Sequence, residues 1–249
     1  MFRRLFCLLF FSLAGHLSLR AAPLQHVEQL IVSIAPTWDS QRGTLQLFQR
    51  KNGQWQPAST VYPALYGKNG LAWGRGLAGQ EQPGLKKVEG DKRAPAGIFE
   101  IGKIYTSDSA LPAGADFPFH TVTRNDAWPD DPSLPLYNRL VTIDPAAPPP
   151  WFEKQKMRHG DSAYRWRVEI RHNSDPIVPG AGSAIFFHIR RGPTRPSAGC
   201  TVLAEPDLVS LIRWLRAPAN PHYVLLTRDE YLQKWRSWSL PDPKIAPLP

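Results

Sequence analysis

Cysteine is almost missing from this 249-residue chain. There are two, Cys7 and Cys200, and Cys7 falls inside an apolar N-terminal stretch. A single remaining thiol excludes a disulfide framework and leaves no second cysteine for a metal cluster or thiol–disulfide exchange. The histidines do not fill the gap. His120, His159, His172 and His222 stand apart, no zinc-ligand spacing emerges, and neither metal nor other cofactor is expected. Acidic clusters are scarce too: Asp130-Asp131 has no partner cluster and reads as turn chemistry. Internal repeats are lacking. Charged residues make up only 20% against 42% hydrophobic, which excludes global disorder.

No apolar run is long enough for a comfortable membrane span. Arg3 and Arg4 precede an apolar stretch from Leu5 to Leu19, broken by Ser12, Gly15, His16 and Ser18, and small residues follow at Ala21 and Ala22. That order predicts a secretory signal peptide over residues 1–21, with no transmembrane span in the mature protein. An uncleaved N-terminal anchor is the competing reading, since Leu19 is a poor residue at −3 of a cut after Ala21. Removal of the segment takes three arginines and no acids from the net charge of +9, leaving +6. An exported basic protein, read as a monomer of the periplasm or cell envelope, suits an anionic polymer. Nucleic acid is disfavoured, because the basic residues are scattered and export separates the protein from it.

With 26 prolines and 18 glycines, the chain favours turns over long helices. Leu30–Ile34, Thr44–Phe48, Gly97–Ile101, Leu140–Ile143, Ala184–Ile189 and Tyr223–Thr227 read as strands. Tyr164 to Arg171 alternates, with Tyr164, Trp166, Val168 and Ile170 on one face and Arg165, Arg167, Glu169 and Arg171 on a solvated one. Leu208, Leu211, Ile212 and Leu215 have helical spacing directly after Cys200. Thr227 and Glu230 form a capping box for a second helix, with Leu232, Trp235 and Trp238 on its apolar face. Gly67 to Gly84 reads as a long loop, a candidate lid. The expected architecture is mainly β: one β-sandwich domain over residues 22–238 with a few short helices, then a proline-rich tail over 239–249 with no core to join.

The chemistry concentrates in one segment. A strand ends at His188, a loop stiffened by Pro193 and Pro196 follows, and Ser197-Ala-Gly-Cys200 returns. A lone exported thiol needs a reason, because it invites oxidation. An imidazole that accepts its proton, together with the positive potential of Arg190, Arg191 and Arg195, would activate it to a pKa below about 8.5. Gly199 lets a carbonyl approach the backbone, so the N–H groups of Gly199 and Cys200 would hold an oxyanion, and the Ser197 hydroxyl would donate to the same oxygen or to substrate. The structural alternatives are a buried small hydrophobe for Cys200 and a core hydrogen bond for His188.

This segment resembles the L,D-transpeptidase catalytic-domain family (YkuD-type), which carries an upstream His followed by Ser/Thr-x-Gly-Cys. Gly90-Asp-Lys-Arg-Ala-Pro-Ala-Gly-Ile-Phe99 resembles another family block. Trp128 through Asn138, Arg171 through Pro176, Gly182 through Phe186 and Arg213-Trp-Leu215 are similar to blocks of one subgroup, and the matches span roughly residues 86–227. The resemblance implies a β fold and a cysteine acyltransferase acting on peptidoglycan stem peptides. Cys200 would attack the carbonyl of the third-position diamino acid, His188 would serve as base and acid, and the Ile189 carbonyl would orient the imidazole. An amine would then take the acyl group; a hydrolase using water, or a non-catalytic wall-binding domain, are the alternatives. Ala198 stands where many members have His, and Thr201 and Val202 where many have Arg or Asn.

Overall fold

The structure is a computed structural model that describes residues 24–249; the expected signal peptide lies outside the described residues. The strands are Gln29–Ala35 (β1), Arg42–Lys51 (β2), Gln54–Pro57 (β3), Tyr62–Leu65 (β4), Leu71–Trp73 (β5), Ala94–Thr106 (β6), Phe119–Thr121 (β7), Asp126–Ala127 (β8), Val141–Thr142 (β9), Trp166–Ile170 (β10), Phe186–Ile189 (β11), Thr201–Leu203 (β12) and His222–Thr227 (β13). The helices are Phe152–Gln155 (α1), Glu205–Trp214 (α2) and Arg228–Lys234 (α3).

The longest apolar runs become the strands with neighbours on both edges. Every residue of β1 is buried, because it pairs in parallel with β13 and antiparallel with β2. From β1 the sheet runs through β13, β6, β10, β11, β12, β4 and β2, and β2 pairs back onto β1. One mixed sheet therefore closes on itself, and the two layers of the expected sandwich are opposite walls of this barrel. Closure satisfies the ladder groups that an open sheet would leave at its edges. Phe48, Phe99, Phe187 and Tyr223 fill the interior, with Phe187 and Tyr223 edge-on at 4.6 Å. A smaller cluster of Tyr105, Val122, Met157 and Phe186 is separate from it, and Trp128, Ala184 and Cys200 pack against that cluster.

Several expectations change. The helix expected directly after Cys200 is preceded by β12, whose three residues are all buried. Its Thr-Val-Leu sequence suits a strand, and the parallel ladder with β11 supplies the partner. The arginine row is solvated only at its ends: Arg165 is exposed and Arg171 partly so, whereas Arg167 between them is only 4% exposed. Tyr164 belongs to a 3₁₀ turn, Ser162–Tyr164, instead of the strand. The Leu140–Ile143 strand shrinks to β9, paired only with β8. The Gly67–Gly84 segment contains β5, and Trp73 is buried, donates its Nε1–H to the Pro83 carbonyl and stacks edge-on with Trp38. It is wall, not lid. In α3, Thr227 does cap Glu230, yet Leu232 is exposed and Tyr231 is the buried side chain. The tail does join the core: Leu240 is buried, Leu248 packs against the core, and the Pro241 carbonyl accepts from the Tyr231 hydroxyl at 2.7 Å.

Candidate active site

Two adjacent parallel strands set the site. Phe187 pairs with Thr201 and His188 with Val202. Side chains alternate across a sheet, so Phe187 and Thr201 face the barrel interior, where Thr201 Oγ1 and the Tyr223 hydroxyl lie 2.9 Å apart. His188 and Cys200 occupy the other face and line one cleft of about 340 Å³. Cys200 is level with Phe186, whose N–H donates to Sγ at 3.4 Å, and the thiol points its own hydrogen at the Ala184 carbonyl, 3.5 Å away. His188 is 5% exposed, and its Nδ1–H donates to the Ile189 carbonyl at 3.0 Å. With the proton on Nδ1, Nε2 carries the basic lone pair. The Tyr164 ring lies 4.7 Å from the imidazole centroid.

The turn before Cys200 is self-bonded. Gly199 donates its N–H to Ser197 Oγ at 3.0 Å, and the Ser197 hydroxyl donates to the Cys200 carbonyl at 2.5 Å. Ser197 is also held through its backbone by Tyr66 and Lys68. The expected oxyanion role of the Gly199 N–H and the expected substrate contact of the Ser197 hydroxyl are therefore replaced by turn bonds. Gly199 has φ +148°, and a Cβ there would stand 3.2 Å from the Arg93 carbonyl; glycine is required for the turn. Of the three expected substrate arginines, Arg191 and Arg195 line the cleft and Arg190 does not. Arg190 is instead felt by Asp207 on α2. Arg191 is held by Asp161 at 2.7 Å and lies over Tyr164.

Burial dominates the electrostatics. It pushes the Cys200 thiol up to about 11, against smaller opposing effects of the Phe186 N–H, Lys87 and Arg167. It holds His188 down at about 4; the Ile189 carbonyl works the other way, and Arg191 and Arg167 add to the depression. The resting groups are a neutral thiol and a neutral imidazole lining one cleft. This corrects the expectation of a thiol activated below its ordinary value: three arginines near in sequence do not compensate for an apolar enclosure.

Sequence reasoning did not single out Lys87, Glu89, Ser183 or Tyr164 as cleft residues, and it read Asp130 as turn chemistry. All five line the cleft. Asp131 does make turn bonds, to Ser133, while Asp130 faces the cavity. Glu89 accepts from the Tyr137 hydroxyl at 2.5 Å and the Ser183 hydroxyl at 2.7 Å. Tyr137 and Ser183 stand inside quoted sequence blocks, and that was the available signal; Lys87 and Glu89 carried none.

Asn138 explains why those blocks belong together. Its Oδ1 accepts from Trp128 Nε1–H and from the Ala184 N–H, both at 3.0 Å, and its Nδ2 donates to the His172 and Asn173 carbonyls at 3.1 and 2.8 Å. One buried amide thus ties three segments behind the thiol, and Ala184 is held at φ +53° while its carbonyl faces Sγ. Asn138→Ala should lower stability by about 3 kcal/mol, since buried partners are left unsatisfied. A urea unfolding midpoint unchanged from wild type would refute this.

Residues 39–224 match the family model described as YkuD, L,D-transpeptidase catalytic domain. No curated protein matches the chain. Among solved structures, the helical cell shape determining protein Pgp2 from Campylobacter jejuni is similar at 12% identity with a TM-score of 0.37, covering 80% of this chain and 48% of that one. The chain therefore spans about half the length of that structure.

Proposed function

The chain belongs to the L,D-transpeptidase catalytic-domain (YkuD) family, and on that premise we propose that it is an exported cysteine acyltransferase of the cell envelope, acting on peptidoglycan stem peptides with Cys200 as nucleophile and His188 as base. The observation that carries this reading is the placement of the only thiol among the described residues and a Nδ1-protonated imidazole in one cleft at neighbouring strands. Sγ attacks the carbonyl of the third-position diamino acid while its proton passes to His188 Nε2. The tetrahedral oxyanion rests on the Cys200 N–H, since the Gly199 N–H is taken by Ser197. Collapse breaks the C–N bond, the terminal D-alanine leaves with the proton from His188, and a thioester remains. An acceptor amine then attacks the thioester, gives its proton to His188, and the thiolate recovers that proton as it leaves.

The test is incubation of the mature chain with a disaccharide-tetrapeptide and identification of products by mass. A crosslinked dimer is expected. Tripeptide alone would make water the acceptor and the protein a carboxypeptidase, and absence of any thiol-dependent product would overturn the enzymatic reading in favour of a wall-binding domain.

A further inference from the structure

A groove that shares no lining residue with the catalytic cleft lies where the β2–β3 hairpin, the end of α3 and the C-terminal tail meet. Its volume is about 700 Å³, against about 340 Å³ at the thiol. The hairpin brings the first aromatic. Asn52 and Gly53 both have positive φ, the tight two-residue turn that fixes strand register, so Arg50 pairs directly with Trp55. Cross-strand partners share a face, and the Arg50 guanidinium lies 4.3 Å from the indole centroid. Trp55 donates its Nε1–H to the Ser239 carbonyl at 2.8 Å. That bond joins hairpin to tail and sets the ring's orientation before any ligand arrives.

The second indole follows α3. Trp235 packs on the core, and the Arg236 guanidinium lies 4.4 Å from its ring. Both indoles are half-buried, so each is anchored and still shows surface. Trp235 Nε1–H bonds to no described residue and, unlike Arg50 Nε, is not sealed from solvent. The tail adds apolar lining through Leu240 and Ile245, and Arg236, Asp242 and Gln54 are exposed around it. Indoles beside planar donors and acceptors fit a ligand with both an apolar face and many hydroxyls. A sugar ring is such a ligand: its C–H face rests on an indole, and its hydroxyls reach amide, carboxylate and guanidinium. Charge argues against a polyanion. Two arginines and one aspartate line the groove, whereas a phosphate chain needs a run of cations. The volume is that of a small-ligand site and admits a short oligosaccharide.

We propose that this groove binds a polysaccharide strand, with Trp55 and Trp235 as stacking surfaces and Arg236, Asp242 and Gln54 as hydrogen-bonding groups. That the strand is the glycan bearing the stem peptides rests on the function proposed above; the preference for sugar does not. A strand held here keeps its stems close to the chain and raises their effective concentration.

Isothermal titration with tri-N-acetylchitotriose tests the groove. This sugar carries no peptide, so its binding is read whether or not the chain turns over a stem. Saturable binding is expected in wild type. Trp235→Ala should weaken it about tenfold, and Trp235→Phe, which keeps a ring and loses the N–H, should stand between the two. Arg236→Ala alters only an exposed side chain and should weaken binding by roughly threefold or more. Absence of saturable binding by wild type, or unchanged affinity in both alanine variants, overturns the groove. Binding of polyphosphate without the oligosaccharide overturns it in favour of an anion site. Chitotriose should also raise the KM for stem-bearing glycan strands and not that for the free tetrapeptide; equal effects on the two overturn the link to the substrate. If chitotriose binds as expected while no thiol-dependent product forms from any stem, the groove stands and the proposed enzyme falls.

Discussion

Exchange of Cys200 for serine should lower product formation from a disaccharide-tetrapeptide by roughly 10³-fold or more. The reason lies in the enclosure of the pair. Burial pushes the thiol up to about 11 and His188 down to about 4, so the imidazole is a weak base toward even a thiol. A serine hydroxyl, far less acidic and less nucleophilic, has no route to activation there. The same values bear on the wild-type mechanism. Little thiolate exists before substrate binds, so proton transfer to Nε2 accompanies attack and does not precede it. Two measurements check this. Intact mass should show a covalent acyl adduct with a carbapenem in wild type and none in Cys200→Ser. The rate of alkylation by iodoacetamide should climb about tenfold per pH unit from 7 to 10; a plateau below pH 8.5 would show a preformed thiolate and contradict the burial argument.

Acidification from pH 7.5 to 4.5 should destabilise the protein through two buried histidines. His172 is buried; its Nδ1 accepts the Arg75 N–H at 3.1 Å, and Nε2–H donates to the Ala181 carbonyl at 2.9 Å. Protonation would break the first bond and strand a charge, and burial holds this histidine at about 3. His188 is held at about 4 by the same cause. Both values lie below the ordinary 6.5, so the unfolded chain binds protons that the folded chain refuses. Their contribution to stability is complete above pH 6.5 and drains away as pH falls toward 4 and 3. At pH 4.5 the two together should cost about 5 kcal/mol relative to pH 7.5. That corresponds to a melting temperature lower by on the order of 15 °C for a chain of this size. His172→Gln should roughly halve the drop, whatever it does to stability at pH 7.5. Equal melting temperatures at the two pH values would sink the argument.

Much of the barrel was legible because its central strands are apolar runs longer than a local accident allows. Leu30–Ile34 and Tyr223–Thr227 stand out in the sequence as strands, and the structure buries every position of Gln29–Ala35 and His222–Thr227. The loop with Ser197, Gly199 and Cys200 was legible by residue type. What misled was local pattern without tertiary context. Alternation around Trp166–Ile170 identified a strand, and it made Arg167 solvent-facing because period two separates faces without saying whether the outer face is covered. Here Arg167 is buried and lines a cleft with Cys200, Trp128, Phe186 and Met157. Three-residue Thr201–Leu203 carries too little periodicity to compete with the helical spacing after it, and only its ladder to β11 makes it a strand.

The sequence by itself determined the lone thiol, the histidine upstream, the mainly β character and the family resemblance, because these depend on residue identity and short-range order. Tertiary structure decided which of those groups are usable. It set the protonation of the pair, because the energy of a charge depends on what surrounds it in space. It gave the Gly199 N–H and the Ser197 hydroxyl to the turn, because a hydrogen-bond donor can be read only with its partner. It also buried Arg167 beside the sulfur without a counter-ion among the described residues, a fact of packing that no count of arginines along the chain contains.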